Sequence, residues 1–227
     1  MNTTKTTYTR RVTVQREGTR LAADFMLPSG VSPFPCVIFV HGLRSGKDSP
    51  RNVVVAARLV ESGIAAFLFD LTGHGESDID PRDGEEAYVE DLEAVFDWVR
   101  AQPEINPERI GVAGSSLGGV IALDATRRRL IRPAALVLRA PPVEPHEFAN
   151  IEVPTLVIAG GHDPLLGQIR KATAMSERVT LSIVDGAGHL FEEPGALEQA
   201  VHRTVQWFKG YLTGTPTPPT SNLGEVD

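Results

Sequence analysis

The sequence predicts an α/β fold, a doubly wound and mostly parallel sheet preceded by an antiparallel hairpin. Three observations lead there. The first is a series of short apolar runs at residues 36–40, 65–69, 110–113, 136–140, 155–159 and 179–184, rich in Val, Ile and Leu and without polar alternation. Strands covered on both faces read this way. The second is the chain between those runs, which predicts helices at about 52–62, 85–100, 116–129, 164–175 and 195–211. In the clearest of them Tyr88, Leu92, Val95, Phe96 and Val99 form one apolar stripe. The third is a pair of alternating segments, 8–14 and 20–26, flanking Glu17-Gly18, which read as a hairpin. Repeated strand–helix units place functional groups at the carboxyl ends of the strands.

A chain of 227 residues suffices for one α/β domain with a covered core. The last stretch, 213–227, carries Pro216, Pro218 and Pro219 among Thr, Ser and Gly and reads as a loose tail outside a domain spanning 1–212. A formal charge of −7 argues against a nucleic-acid or anionic-membrane surface. The one basic run, Arg127-Arg128-Arg129, sits where it complements the dipole of the predicted helix 116–129. A single cysteine, Cys36, excludes an intrachain disulfide and fits a reducing compartment; within its apolar run it reads as a small core residue. The polar N-terminus lacks a leader-like apolar stretch, and no segment reaches the length of a membrane span. A cytoplasmic location is the expectation. No residue pattern sets an oligomeric state.

The segment with most chemical content is Gly114-Ser115-Ser116-Leu117-Gly118, which centres Ser116 in Gly-x-Ser-x-Gly between a predicted strand and a predicted helix. At such a turn the serine takes a strained backbone conformation that lifts its hydroxyl off the sheet. Side chains on the flanking glycines would collide with the neighbouring strand or helix. The helix N-terminus aims its amides at the same point.

Other short motifs follow the strands in order: His41-Gly42 after the third, Asp70 to Ser77 (DLTGHGES) after the fourth, Gly160-Gly161-His162-Asp163 after the seventh, and Gly186-Ala187-Gly188-His189 after the eighth. With the Ser116 turn after the fifth, this set resembles the α/β-hydrolase superfamily along nearly the whole chain before the tail. The compact size and the run from Gly188 to Gly195 (GHLFEEPG) are similar to its dienelactone-hydrolase-like group. Dienelactone hydrolases proper use a cysteine nucleophile where this chain has Ser116. The resemblance therefore implies the scaffold and a hydrolase.

A serine hydroxyl needs an adjacent base, normally an imidazole. Of six histidines, His189 follows the last strand on a Gly-rich loop from which it can reach Ser116; otherwise it caps that loop on Glu192 or Glu193. In the resembling family the motifs of His41 and His74 shape loops. His162 neighbours Asp163, and His146 and His202 read as surface positions. Asp163 is the candidate carboxylate for the imidazole, giving the order Ser116, Asp163, His189 that this fold uses. Glu144, after the sixth strand, is the fallback, and Asp70 reads as a loop cap. The oxyanion donors are expected to be the backbone amides of Leu43 and Leu117. No His-x-x-x-His or Cys-containing cluster indicates a metal, and no cofactor is expected.

Relatives often carry a helical lid between the sixth and seventh strands, whereas here only residues 141–154 intervene. The expectation is an open site shaped by 43–50, 71–82, 143–151 and Leu190. Arg44 and Lys47 are candidates to attract a substrate carboxylate, or else solvated loop cations, and Phe148 either lines the pocket or pins its loop. The reaction expected is cleavage of a small-molecule carboxylic ester, with a thioester or small amide as the enzymatic alternative. A non-catalytic ligand-binding member of the fold is the rival from another class.

Overall fold

The computed structural model describes residues 8–82 and 84–214. The Pro/Thr-rich tail expected over 213–227 lies, from residue 215 onward, outside the described residues.

The elements run β1 (Tyr8–Arg16), β2 (Thr19–Leu27), β3 (Phe34–Val40), α1 (Pro50–Glu61), β4 (Ala65–Phe69), α2 (Glu85–Arg100), β5 (Ile105–Ser115), α3 (Leu117–Arg127), β6 (Ala135–Arg139), a one-turn 3-10 helix (Pro145–Phe148), β7 (Thr155–Gly160), α4 (Leu166–Thr173), β8 (Val179–Val184) and α5 (Ala196–Leu212). The strands form one eight-stranded sheet in the order β1-β2-β4-β3-β5-β6-β7-β8. The β1–β2 and β2–β4 pairs are antiparallel and all others parallel. This is the predicted fold class, including the leading hairpin.

Apolar runs without alternation are what a sheet covered on both faces requires. In β3, Cys36, Ile38 and Val40 point into one core layer and Val37 and Phe39 into the other. The first layer is closed by α2, α3 and α4, the second by α1 and α5. In the second layer the ring of Phe208 sits directly over Gly111, where a Cβ would lie 2.5 Å from Phe208 Cε1. A strand glycine here makes room for an aromatic ring from α5.

One polar cluster is buried beside the first layer. Arg16, at the end of β1, lies 2.6 Å from Asp91 of α2, 2.9 Å from Asp80 and 2.7 Å from Glu90. Asp91 also accepts from the Thr72 amide at 2.7 Å and its hydroxyl at 2.9 Å. The hairpin, α2 and the chain after β4 are thereby tied together.

The strand order reverses at β3. The chain passes from β3 to β4 on one side and returns through α2 to β5 on the other, so the carboxyl ends of β3 and β5 are neighbours. Open α/β sheets bind ligands at such a switch point.

Most element ends fall within two residues of the sequence reading, but two segments depart from it further. β5 begins at Ile105, pairing with Phe34 ahead of a register shift, although Pro107, Glu108 and Arg109 interrupt the apolar pattern. The segment 143–151 contains the short 3-10 helix, whose turn sends Phe148 into the core.

Phe208→Ala should destabilise the fold by about 3–5 kcal/mol, because it leaves a ring-sized cavity over a glycine that cannot fill it. Equilibrium denaturation of variant and wild type measures the difference.

Candidate active site

Ser116 sits between β5 and α3 with φ 51° and ψ −121°, in the left-handed half of conformational space that costs a non-glycine residue roughly 1–3 kcal/mol. Its neighbours hold it there. The Ser116 amide donates to Arg139 O at 2.9 Å, and its carbonyl accepts from the Gly119 amide at 2.8 Å. The helix was expected from residue 116; it starts at Leu117, leaving Ser116 as the cap residue outside it.

The two glycines of the motif have steric causes. A Cβ on Gly114 would lie 2.3 Å from Gly118 O, and one on Gly118 would lie 2.2 Å from Val40 O and 2.5 Å from His41 O. The turn and the start of α3 therefore press against backbone at the end of β3. The first turn of α3 reaches the loop that carries Leu43 only because position 118 has no side chain.

The imidazole of His189 faces this serine. Ser116 Oγ lies 3.3 Å from His189 Nε2, and His189 Nδ1 lies 2.9 Å from Asp163 Oδ2. With Nδ1–H donating to the carboxylate, Nε2 is free to accept from the hydroxyl. Asp163 is buried, and its other oxygen accepts from the Leu165 amide at 2.9 Å. The loops bearing Asp163 and His189 touch through backbone. A Cβ on Gly160 would come within 2.3 Å of Ala187 O and 2.5 Å of Gly188 O, and the His162 amide donates to Ala187 O at 2.9 Å. Glu193 accepts from the Gly188 amide at 3.0 Å, so it braces the loop and leaves the ring of His189 to Asp163.

The amides of Leu43 and Leu117 donate to no backbone or side-chain acceptor among the described residues. Gly42, the residue before Leu43, lies close to the serine turn, its virtual Cβ 3.0 Å from Ser115 O and 3.5 Å from Ser116 Cβ. Two unpartnered donors beside one hydroxyl can receive an oxygen that becomes negatively charged.

The remaining predicted residues fall elsewhere. Phe148 is fully buried in the core layer and lines no part of the cleft, because the 3-10 turn directs its ring inward. Arg44 is exposed at φ 57° and does not line the cleft. Lys47 is buried and held by Glu76 at 2.6 Å and Asp70 at 3.5 Å, so it is no free cation. Glu144 is exposed and bonded to Gln168 at 2.9 Å. Asp70 caps its loop as expected, accepting from the amides of Lys47 at 2.7 Å and Glu76 at 3.0 Å. His41 is buried. Its Nδ1–H donates to Gly42 O at 2.9 Å and its Nε2 accepts from the Leu71 amide at 3.0 Å. Burial pushes its pKa down, as the paired neutral tautomer requires. Among the described residues no cluster of three or more His, Cys, Asp or Glu side chains could hold a metal ion.

A cleft of about 130 Å³ opens at Ser116 and His189, rimmed by the exposed side chains of Leu43 and Leu190. The loops 71–82 and 143–151, expected to shape the site, contribute no residue to its lining. Its wall includes Ser45 and Ser49, within the expected stretch 43–50, and also Arg51 and Arg139, which sequence reading missed. For Arg139 a signal existed: a cation ending an apolar run at the carboxyl edge of a parallel strand, where sites are built in this architecture.

The reversal of strand order at β3, the serine turn and the facing histidine define an α/β hydrolase, and comparison with known proteins agrees. A family model described as "Serine aminopeptidase, S33" matches residues 32–148, and the chain belongs to that family. Among solved structures, a dienelactone hydrolase from Anabaena variabilis is 32% identical with a TM-score of 0.81, covering 91% of this chain and 99% of its own. An α/β serine hydrolase homologue from Coxiella burnetii has a TM-score of 0.74 at 24% identity, over 87% of this chain and 96% of its own, a likeness of fold. A Mycobacterium tuberculosis protein provisionally named a phosphoribosyl transferase is 33% identical over 193 residues, 80% of this chain. This chain spans 42% of that relative's length.

The environment of His41 sets a pH dependence. Its folded pKa lies below the ordinary 6.5, so in that interval the unfolded chain binds more protons than the folded one. The stabilisation from its neutral form is complete above about pH 6.5 and is lost as pH falls through the lowered value. His41→Asn should therefore cost less in melting temperature at about pH 5 than at about pH 8. An equal deficit at both would contradict the assignment.

Proposed function

We propose that this chain is a serine hydrolase that cleaves a small carboxylic ester through an acyl-enzyme. One observation carries the reading: an unbroken run of contacts from the Ser116 hydroxyl to the His189 imidazole at 3.3 Å and on to the buried Asp163 carboxylate at 2.9 Å. Ser116 Oγ attacks the ester carbonyl as His189 Nε2 takes its proton. Asp163 keeps the proton on Nδ1 and stabilises the imidazolium that results. The amides of Leu43 and Leu117 receive the oxyanion, a role worth roughly a hundred- to a thousandfold in turnover per donor in comparable enzymes. His189 then returns its proton to the leaving alkoxide. Water, deprotonated by the same imidazole, attacks the acyl-enzyme and releases the acid.

The cleft is short and its rim is apolar at Leu43 and Leu190. It suits a compact substrate and offers no tunnel for a long acyl chain. The same relay would serve an amide, and the description of the matched family names an aminopeptidase. Paired 4-nitrophenyl ester and 4-nitroanilide substrates with one acyl group separate the two readings.

Ser116→Ala should fold as the wild type does and lose ester hydrolysis by roughly a thousandfold or more. Asp163→Asn should also lose roughly a thousandfold or more, because an amide partner stabilises the wrong imidazole tautomer. Fluorophosphonate should label the wild type at Ser116. Near-normal turnover in Ser116→Ala, or failure of the label, would overturn the mechanism.

A further inference from the structure

The cleft beside Ser116 carries a charge that the relay does not use. Two residues of its wall are arginines, Arg51 and Arg139, and none is Asp or Glu, in a chain whose formal charge is −7. Arg139 ends β6 directly behind the serine turn. Its Nη2 donates to Asn52 Oδ1 at 2.8 Å and to Ser115 Oγ at 3.0 Å. No carboxylate among the described residues lies within ion-pairing distance of it.

The contrast with Arg16 is direct, since that buried guanidinium is surrounded by Asp80, Glu90 and Asp91. Burying a cation without a counter-ion is costly. Arg139 is half-buried in the cleft wall, and its partial removal from water, with Arg51 nearby, pushes its pKa down to about 10, which still leaves the group charged at neutral pH. Arg51 has a weak partner, Glu192 at 3.7 Å on the rim. Asn52 and Ser115 anchor one corner of the Arg139 fork. Its Nε and Nη1 find no protein acceptor among the described residues. With Nη2 fixed in this way, Nε–H and Nη1–H point to different sides of the plane, and each is held ready to donate a charge-assisted hydrogen bond to an oxyanion.

We infer that Arg139, assisted by Arg51, forms an anion subsite in this cleft, and that the substrate carries a carboxylate or phosphate group beside its scissile bond. The word substrate rests on the ester-hydrolase reading above; the anion site rests on the cleft wall. The rival role for Arg139 is a strut that only braces Asn52 and Ser115 behind the turn.

The test compares kcat/KM on matched neutral and anionic esters, with uncatalysed hydrolysis subtracted. On the acyl side the pair is 4-nitrophenyl pentanoate and mono-4-nitrophenyl glutarate. On the alcohol side 4-methylphenyl acetate is set against 4-acetoxybenzoate and 4-acetoxyphenyl phosphate, which separates carboxylate from phosphate. At least one anionic member should be preferred by about tenfold or more. Arg139→Met should bring that ratio to about one, and Arg139→Lys should retain part of it. A strut would lower both members of a pair together and leave the ratio unchanged. Should Arg139→Met fail to fold, Arg51→Met on the rim should lower the ratio by about threefold.

Calorimetric titration of glutarate and of inorganic phosphate decides the question without turnover. Saturable binding should weaken by about tenfold in Arg139→Met. Neutral esters preferred throughout, with neither anion binding, would overturn the subsite. Anion binding without hydrolysis or serine labelling would retain the subsite and reject the ester-hydrolase reading instead.

Discussion

The close approach of the β5–α3 turn to the end of β3 is the constraint on which the rest of the site depends. Gly118 has backbone carbonyls of Val40 and His41 where a side chain would be, and Gly114 has the carbonyl of Gly118. These are contacts between main chains, so no rotamer change relieves them. They force Ser116 into the left-handed region and place the first amide of α3 beside the loop after β3. Arg139 O, accepting from the Ser116 amide, closes the arrangement from the β6 side. The serine is thus placed by three parallel strands at once, each anchored in both core layers.

The other half of the site is built on the same principle. Gly160 and the carbonyls of Ala187 and Gly188 lock the loops after β7 and β8 together, and Asp163 and His189 ride on those loops. A short backbone distance therefore sets the separation of carboxylate and imidazole. Side chains then orient what the backbone has positioned: Leu165 donates to one oxygen of Asp163, and Glu193 holds the Gly188 amide. The hairpin and α2, joined through Arg16 and Asp91, lie remote from this centre and support the chain after β4.

Most of the fold was legible in the sequence because both faces of the sheet are buried, and burial on both faces leaves unbroken apolar runs. The serine turn was legible because its glycines stand at fixed offsets, and Asp163 and His189 were legible as candidates because each lies on the short loop after a strand. What escaped notice has equally physical reasons. Phe148 stood open between lining the pocket and pinning its loop; one turn of 3-10 helix rotates it into the core, and a four-residue turn has no periodicity from which to read that. The early part of β5 was hidden by Pro107, Glu108 and Arg109, which lie beyond the strand's apolar stretch. Arg44 and Lys47 drew attention as cations near Gly42. The cations on the cleft wall come instead from the starts and ends of other elements, Arg51 at the head of α1 and Arg139 at the tail of β6. Their convergence is a property of topology, since 87 positions separate Asn52 from the Arg139 it bonds.

The rim of the cleft stands apart from this framework. Leu43 is 62% exposed and Leu190 46% exposed. Leu43 enters the expected chemistry through its amide alone, and close to half of Leu190 faces solvent. Exchanging either side chain reshapes the mouth while leaving every main-chain clasp beneath it untouched. Selectivity in this architecture can therefore drift quickly between closely related chains, through single substitutions that the scaffold does not register.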